Sequence, residues 1–211
     1  MNLEELEIKL GKISKPRERS EPLWENSDYA SLMRKRYALV AELSKDKVVL
    51  DLCCGTGWGS EILSQTARQV YGVDYNEDTI TYANLKHKQN NCQFSCMNAL
   101  NLNFDNDFFD VVTACEVLEH FEFEEIKVVM DNIVRVLKSD GIFYGTTPLA
   151  PKSTSISGFL STNKYHKYIF LFDELMEFLG KWFEEVRIDY VDKNSSRRFY
   201  HYFLCKYKRN R

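Results

Sequence analysis

Long apolar runs are missing from this sequence, and no stretch approaches the ~18 residues that a membrane-spanning helix needs. An excess of one charge is missing too. Lys and Arg total 28 against 31 Asp and Glu, a net charge of -3. That balance leaves no broad positive field for nonspecific contact with nucleic acid. The two small basic spots, Arg197-Arg198 and Lys206, Lys208, Arg209 and Arg211, read as solvated ends. The six cysteines (Cys53, Cys54, Cys92, Cys96, Cys115, Cys205) have the spacing of neither a zinc finger nor a disulfide framework. They are expected as free thiols in a reducing compartment. The opening "MNLEELEIKLGK" is charged throughout and lacks the apolar core of a secretory leader. A protein of the cytoplasm, with no membrane partner, is the expectation.

With 44% hydrophobic residues in 211, the chain can bury one full core. Residues 1–25 are charged, carry Pro16 and Pro22, and read as a loosely ordered arm. A helical pattern follows from about Tyr29 to Leu43, and strand and helix signals then alternate. Strands are predicted at Val48–Leu52, Gln69–Asp74, Gln93–Met97, Phe109–Cys115 and Ile142–Thr146. Helices are predicted from about Trp58 to Ala67, from Glu77 to Gln89, and from Ile126 to a stop near Asp140-Gly141. Such alternation implies a parallel sheet covered on both faces. After a loop over 147–163 comes a helix near Asp173–Leu179. Two last strand signals, Phe183–Tyr190 and Phe199–Tyr207, suit a closing hairpin with an antiparallel strand.

The stretch "VVLDLCCGTGWGSEIL" places Gly55, Gly57 and Gly59 between the first strand and its helix. In an open parallel sheet, ligands bind beyond the carboxyl ends of the strands. Glycines there let a ligand approach the backbone and let the turn take positive φ. Asp74 ends the next strand, 19 residues after Gly55, where a carboxylate accepts bonds from both hydroxyls of a ribose. Alternatively it caps the following helix. Strand, glycine loop, helix, strand and acid in register predict a nucleoside site.

"VVLDLCCGTGWGS", "VYGVDYNEDTITYA", "FDVVTACEVLEHF", "IVRVLKSDGIFYGTTP" and "YHKYIFLFDELMEFL" occur in the order and spacing of one family. The sequence resembles the class I S-adenosylmethionine-dependent methyltransferases, in the branch called methyltransferase type 11 or 12. The resemblance implies a three-layer Rossmann-like sandwich: a seven-stranded, mostly parallel sheet with an antiparallel strand in its C-terminal hairpin. It implies S-adenosylmethionine as cofactor, S-adenosylhomocysteine as product, and a methyltransferase domain over residues 46–211. Residues 1–45 would then form an arm and helix, a lid over the active site. Asp51 and Gly55, Thr56 and Gly57 would line the methionine part, with Cys53 beside them. Asp74 would hold the ribose and Tyr75 flank the adenine. Where the family has Asp-Ala after the third strand, this chain has Asn98-Ala99, whose amide oxygen can still accept from the adenine amino group. Cys115 and Glu116 would lie beside the sulfonium.

Methyl transfer to a hydroxyl needs an aligned nucleophile and a base. Of four histidines, His87 lies in a polar helix and is expected to be exposed, and His201 has no obvious partner. His120 and His166 remain. In "CEVLEH", Glu116, Glu119 and His120 stand at i, i+3 and i+4, one face if a helix starts at the strand's end. With His166 they would form a divalent-metal site, suited to Mn²⁺ among others. The motif is similar to the metal sites of small-RNA 3′-terminal 2′-O-methyltransferases and ubiquinone-pathway O-methyltransferases. Two other readings stay open: His120 or His166 as a metal-free base, with Glu116 assisting, or no catalytic role at all. Aromatic side chains that could close over the acceptor are Trp24, Tyr29, Tyr37, Phe159, Tyr165, Tyr168, Phe170 and Phe172.

The expected activity is O-methylation of a small molecule, a sugar or nucleotide-sugar hydroxyl included. Alternatives are an RNA 2′-O-methyltransferase, a small-molecule N-methyltransferase, and a cofactor-binding subunit without activity. The acidic balance makes nucleic acid the weaker acceptor, and a homodimer is an admissible assembly.

Overall fold

The β-branched runs of the sequence form strands wherever apolar residues alternate with helical segments. The structure, a computed structural model, describes residues 2–13, 28–150, 164–191 and 200–209. Pro16, Pro22, Trp24, Phe159, Arg197, Arg198 and Arg211 lie outside the described residues, as does the Tyr29 side chain. Seven strands, β1 (Val48–Leu52), β2 (Gln69–Asp74), β3 (Cys92–Cys96), β4 (Phe109–Cys115), β5 (Leu137–Pro148), β6 (Phe183–Tyr190) and β7 (Tyr200–Lys208), make one mixed sheet in the order β3-β2-β1-β4-β5-β7-β6. Cα packing divides the chain into two compact units, residues 1–102 and 103–211. Among the described residues no helix is long and apolar enough to cross a membrane.

In the first unit, β1 (Val48–Leu52), β2 (Gln69–Asp74) and β3 (Cys92–Cys96) run parallel, with Asp51 opposite Gly72 and Asp74 opposite Cys96. Val49, Leu50 and Leu52 are buried, as expected of a strand covered on both faces. Helices α2 (Asp28–Leu43), α3 (Trp58–Ser64) and α4 (Glu77–Lys86) belong to the same unit. The Asn76 side chain caps α4 by accepting from the Thr79 N–H at 3.0 Å, which frees Asp74 from that task.

The charged opening of the chain departs from the expectation of a loose arm, because residues Leu3–Ile13 form helix α1. Leu6 and Leu10 are buried in a cluster with Tyr82 of α4, and Leu3 packs against it. The leucines recur at helical spacing among charges, and burying each is worth about 1.5–3 kcal/mol. Lys9 pairs with Asp78 at 2.6 Å, and Glu7 accepts from the Tyr82 hydroxyl at 3.3 Å.

In the second unit, β4 (Phe109–Cys115) and β5 (Leu137–Pro148) are parallel, while β7 (Tyr200–Lys208) runs antiparallel to β5 and to β6 (Phe183–Tyr190). Helices α5 (Phe123–Val136) and α6 (Phe172–Leu179) complete it. The helix predicted to reach Asp140 stops at Val136, and Leu137 is already extended and paired with Phe109. The register then skips from Phe109–Leu137 to Val111–Ile142. A bulge therefore holds the polar residues that resembled a helix end.

The tail is not a solvated end. Lys208 pairs with Asp107 and donates to the carbonyls of Val134 and Leu137, at 3.1 and 2.7 Å. It satisfies carbonyls that the end of α5 leaves without helical partners. Arg209 Nε donates to Gly180 and Phe183 carbonyls, at 3.0 and 3.2 Å.

Candidate active site

In the first unit, the turn from β1 into α3 puts three residues in the left-handed region: Cys53 at φ 55°, Gly55 at φ 56° and Gly57 at φ 89°. The three glycines of the loop have different physical reasons. A Cβ on Gly55 would meet nothing within 4 Å, so its backbone borders open space. A Cβ on Gly57 would press the Phe94 ring at 2.7 Å, and one on Gly59 would lie 2.1 Å from Tyr37. Gly55 alone therefore has the approachable backbone expected of the whole loop; Gly59 is packing.

Asp74 is buried at 8% exposure, and its two oxygens accept from the N–H groups of Asn76 at 3.0 Å and Gly55 at 3.2 Å. Those bonds fix the carboxylate against the loop and leave further lone pairs for a ligand. Tyr75, the next residue, is 70% exposed. Asn98 Oδ1 accepts from the Leu100 N–H at 2.9 Å, and Ala99 is buried. The Thr56 hydroxyl is buried and has no hydrogen-bond partner among the described residues. A buried hydroxyl is seldom left so, which makes it a natural contact for a bound group. The open face at Gly55, the orphaned hydroxyl and the placed carboxylate fit an adenosyl cofactor.

Asp51 lies in β1. It is fully buried, with the Tyr37 hydroxyl on Oδ1 at 3.1 Å and the Ser60 hydroxyl on Oδ2 at 2.6 Å. Burial, opposed by those two hydrogen bonds and reinforced by Asp74, pushes its carboxyl up to about 7. Ser60 was not legible as a site residue, since it reads as an ordinary member of its helix, and Tyr37 was expected over the acceptor rather than on Asp51.

In the second unit, the i, i+3, i+4 reasoning fails at its first residue. Glu116 sits at φ 57° and binds Thr146, whose hydroxyl donates to Glu116 Oε1 at 3.0 Å. Only Leu118–His120 is helical, as a single 3₁₀ turn. The positive φ interrupts the helical path, so Glu116 does not join the others. Cys115 is half-buried beside Thr113, with Oγ1 and Sγ 3.5 Å apart.

Glu119, His120 and His166 do come together, each offering a ligand atom within 4.8 Å of the others. Glu119 is fully buried, and the Thr147 hydroxyl donates to its Oε2 at 3.0 Å. Its carbonyl accepts from the Lys167 N–H at 2.7 Å and the Tyr168 N–H at 3.3 Å, which ties the His166 segment to the turn. His120 Nδ1 lies 3.1 Å from the Tyr165 carbonyl. A carbonyl only accepts, so this nitrogen carries the proton and a neutral ring has its lone pair on Nε2. Burial, then the neighbouring His120, lowers His166 to about 4, so it is neutral at ordinary pH. One carboxylate and two imidazoles, one of them oriented by a carbonyl, fit a divalent transition metal.

The other histidines are corrections. His87 is buried at 8% exposure rather than exposed, with Nδ1 2.8 Å from Glu61 Oε2. His201 packs on Tyr190, ring centroids 4.5 Å apart, and near Phe172 at 6.4 Å. Of the aromatic side chains, Tyr37 and Phe170 are core, the latter against Phe123, Tyr168 and Phe178.

A glycine turn whose backbone is tied to a carboxylate at the end of the next strand, in a sheet of this order, is the nucleoside-binding half of a known class. The chain is similar to the class I S-adenosylmethionine-dependent methyltransferases. Within that class, residues 50–145 match the family model described as a methyltransferase domain. The chain is 29% identical over 112 residues to a probable S-adenosylmethionine-dependent methyltransferase of Mycolicibacterium smegmatis, covering 53% of this chain and 42% of that protein. It is 33% identical over 105 residues to the ubiquinone biosynthesis O-methyltransferase of Coxiella burnetii, covering 48% of this chain and 44% of the other. The chain thus spans less than half the length of these two relatives. Its fold is like that of DhpI solved with S-adenosylhomocysteine, with a TM-score of 0.71 at 16% identity, over 99% of this chain and 96% of that one.

Proposed function

We propose that the chain transfers the methyl group of S-adenosylmethionine to a hydroxyl oxygen of a small-molecule acceptor, a sugar hydroxyl being one candidate. The observation that carries the oxygen acceptor is the convergence of Glu119, His120 and His166 within 4.8 Å. An amine acceptor needs little help to lose its proton, whereas a hydroxyl needs a base or a Lewis acid. The name of the Coxiella burnetii relative, an O-methyltransferase, supports the same reading.

In this reading Asp74 accepts from the ribose hydroxyls and Tyr75 covers the adenine. The Gly55 backbone and Thr56 hydroxyl meet the methionine part. As the acceptor oxygen bonds to the methyl carbon, the carbon–sulfur bond breaks and its electron pair stays on sulfur, giving S-adenosylhomocysteine. The acceptor proton passes to the lone pair on His120 Nε2, while Nδ1–H stays on the Tyr165 carbonyl and holds the ring in place. In the alternative use of the cluster, Glu119, His120 and His166 would hold a divalent metal, His120 through that same Nε2 lone pair, and Lewis acidity toward the acceptor hydroxyl would replace the base. Glu116, bound to Thr146 and apart from the cluster, is proposed to shape the site rather than to move a proton.

The test is production of S-adenosylhomocysteine with panels of vicinal diols, phenols, sugars and amines. His120→Asn should lower turnover of hydroxyl acceptors about 10²–10⁴-fold, the usual contribution of a general base. Turnover of amines alone, unchanged by that substitution, would overturn the oxygen reading. Loss of activity in EDTA with recovery in Mn²⁺ would assign the cluster to a metal, and full activity in EDTA would assign His120 to metal-free base catalysis.

A further inference from the structure

Among the described residues Asp51 is the one fully buried carboxylate of the glycine-loop region, and its surroundings treat its two charge states almost alike. Both partners are hydroxyls, Tyr37 at 3.1 Å and Ser60 at 2.6 Å. A hydroxyl can donate to an ionised carboxylate or, after rotating, accept from a protonated one. Neither hydrogen bond is lost when the group changes charge. The other titratable groups acting with it are Asp74 of β2, Cys54 of the loop and Cys92 of β3, all acids. None of them stabilises a negative charge at Asp51. Tyr37 is fixed independently: its ring occupies the place a Gly59 Cβ would take and meets the Trp58 ring edge-on at 4.8 Å.

We propose that Asp51 exchanges its proton in the ligand-free protein near neutrality, that cationic S-adenosylmethionine draws it to the ionised form and releases that proton to the solvent, and that Tyr37 is the positioning residue setting this exchange. The proposal rests on the cofactor reading above. Its consequence is selectivity. S-adenosylmethionine carries a positive sulfonium, whereas S-adenosylhomocysteine is an uncharged thioether with the same ammonium and carboxylate. An ionised Asp51 attracts the first and is nearly indifferent to the second; a neutral Asp51 treats them alike. The two hydroxyl partners make the ionised form reachable in a buried place where desolvation alone would forbid it. That balance is consistent with a carboxyl raised to about 7 rather than far higher. The sign follows directly: an acid is neutral below that value and ionised above it. Preference for cofactor over product therefore grows as the pH rises through neutrality, which favours product release at working pH.

Titration calorimetry on the full chain tests this, with S-adenosylmethionine and S-adenosylhomocysteine between pH 6 and 8. Buffers of different ionisation enthalpy report the protons released. S-adenosylmethionine should release protons near pH 6.5 and S-adenosylhomocysteine should not. The affinity ratio should rise about fivefold between pH 6 and 8, the part of a tenfold limiting change that falls in this range if the sulfonium moves the carboxyl by one pH unit. Tyr37→Phe removes a donor that favours the ionised form, so it should displace the rise to higher pH, and Asp51→Asn should abolish it. A merely structural role for Tyr37 would weaken both ligands equally at every pH. Binding of both ligands with a flat ratio and no proton release overturns the proposal. A wild-type rise that Tyr37→Phe leaves in place overturns the role of Tyr37, and no binding at any pH overturns the cofactor reading itself.

Discussion

Gly59 carries a hydrogen where any other residue would put a carbon 2.1 Å from the Tyr37 ring. Gly59→Ala should displace Tyr37 from Asp51 and cost about 1–3 kcal/mol, the range for overpacking a filled core. Urea unfolding would measure it. At Gly55, where space is open but φ is 56°, alanine should cost only the ~1–2 kcal/mol of left-handed strain. His87 gives a pH prediction of known sign. Burial, partly offset by Glu61, lowers its pKa from 6.5, so the folded state resists the proton. Its stabilising contribution is complete above 6.5 and falls away as the pH drops below it. His87→Gln should therefore lose less stability than wild type between neutral pH and pH 5, read as urea midpoints. At this scale the sequence announced the residues whose type is rare for its place, such as Asp74 and Gly55. It did not announce the Tyr37 bond to Asp51, Ser60 or the burial of His87, because a helix tyrosine, serine or histidine is ordinary until its neighbour across the fold is known.

Helix α5 ends against a lysine from the far end of the chain, since Lys208 serves the carbonyls of Val134 and Leu137 and pairs with Asp107. Lys208→Met keeps the stem but leaves those carbonyls short of a donor. The expected loss is about 1–3 kcal/mol, measured by denaturant unfolding. Elements were legible where apolar period and length agreed, as in β1, β2, β4 and β6. They were illegible where a tertiary contact supplied the reason for the element. Helix α1 exists because Leu6 and Leu10 find Tyr82, and charges on its other faces hid that stripe. The 3₁₀ turn at Leu118–His120 was read as a helix start because spacing cannot reveal that Glu116 takes a positive φ.

Across the whole molecule, the mostly parallel sheet with an antiparallel strand in its C-terminal hairpin was legible, for alternating elements admit few topologies and the loop after β1 marks the binding end. The acceptor was not, because acceptor contacts come from segments with no periodic signal. S-adenosylmethionine at a hundred times its dissociation constant should stabilise the fold by about 2.7 kcal/mol. For a chain of this size that is a rise in Tm of about 5–10 °C, which a thermal scan would detect. Asp74→Ala should remove most of the rise without lowering the ligand-free Tm comparably.

The chain also contains its own optical probe. Trp58 follows Gly57 directly, meets the Tyr37 ring at 4.8 Å and is 8% exposed. Its emission therefore changes with whatever fills the glycine turn. Trp182, whose indole N–H is bonded to Asp131 at 2.9 Å, belongs to the other unit. A protein carrying Trp24→Phe and Trp182→Phe would thus follow cofactor arrival by the fluorescence of Trp58 alone, in a stopped-flow cell and without a label.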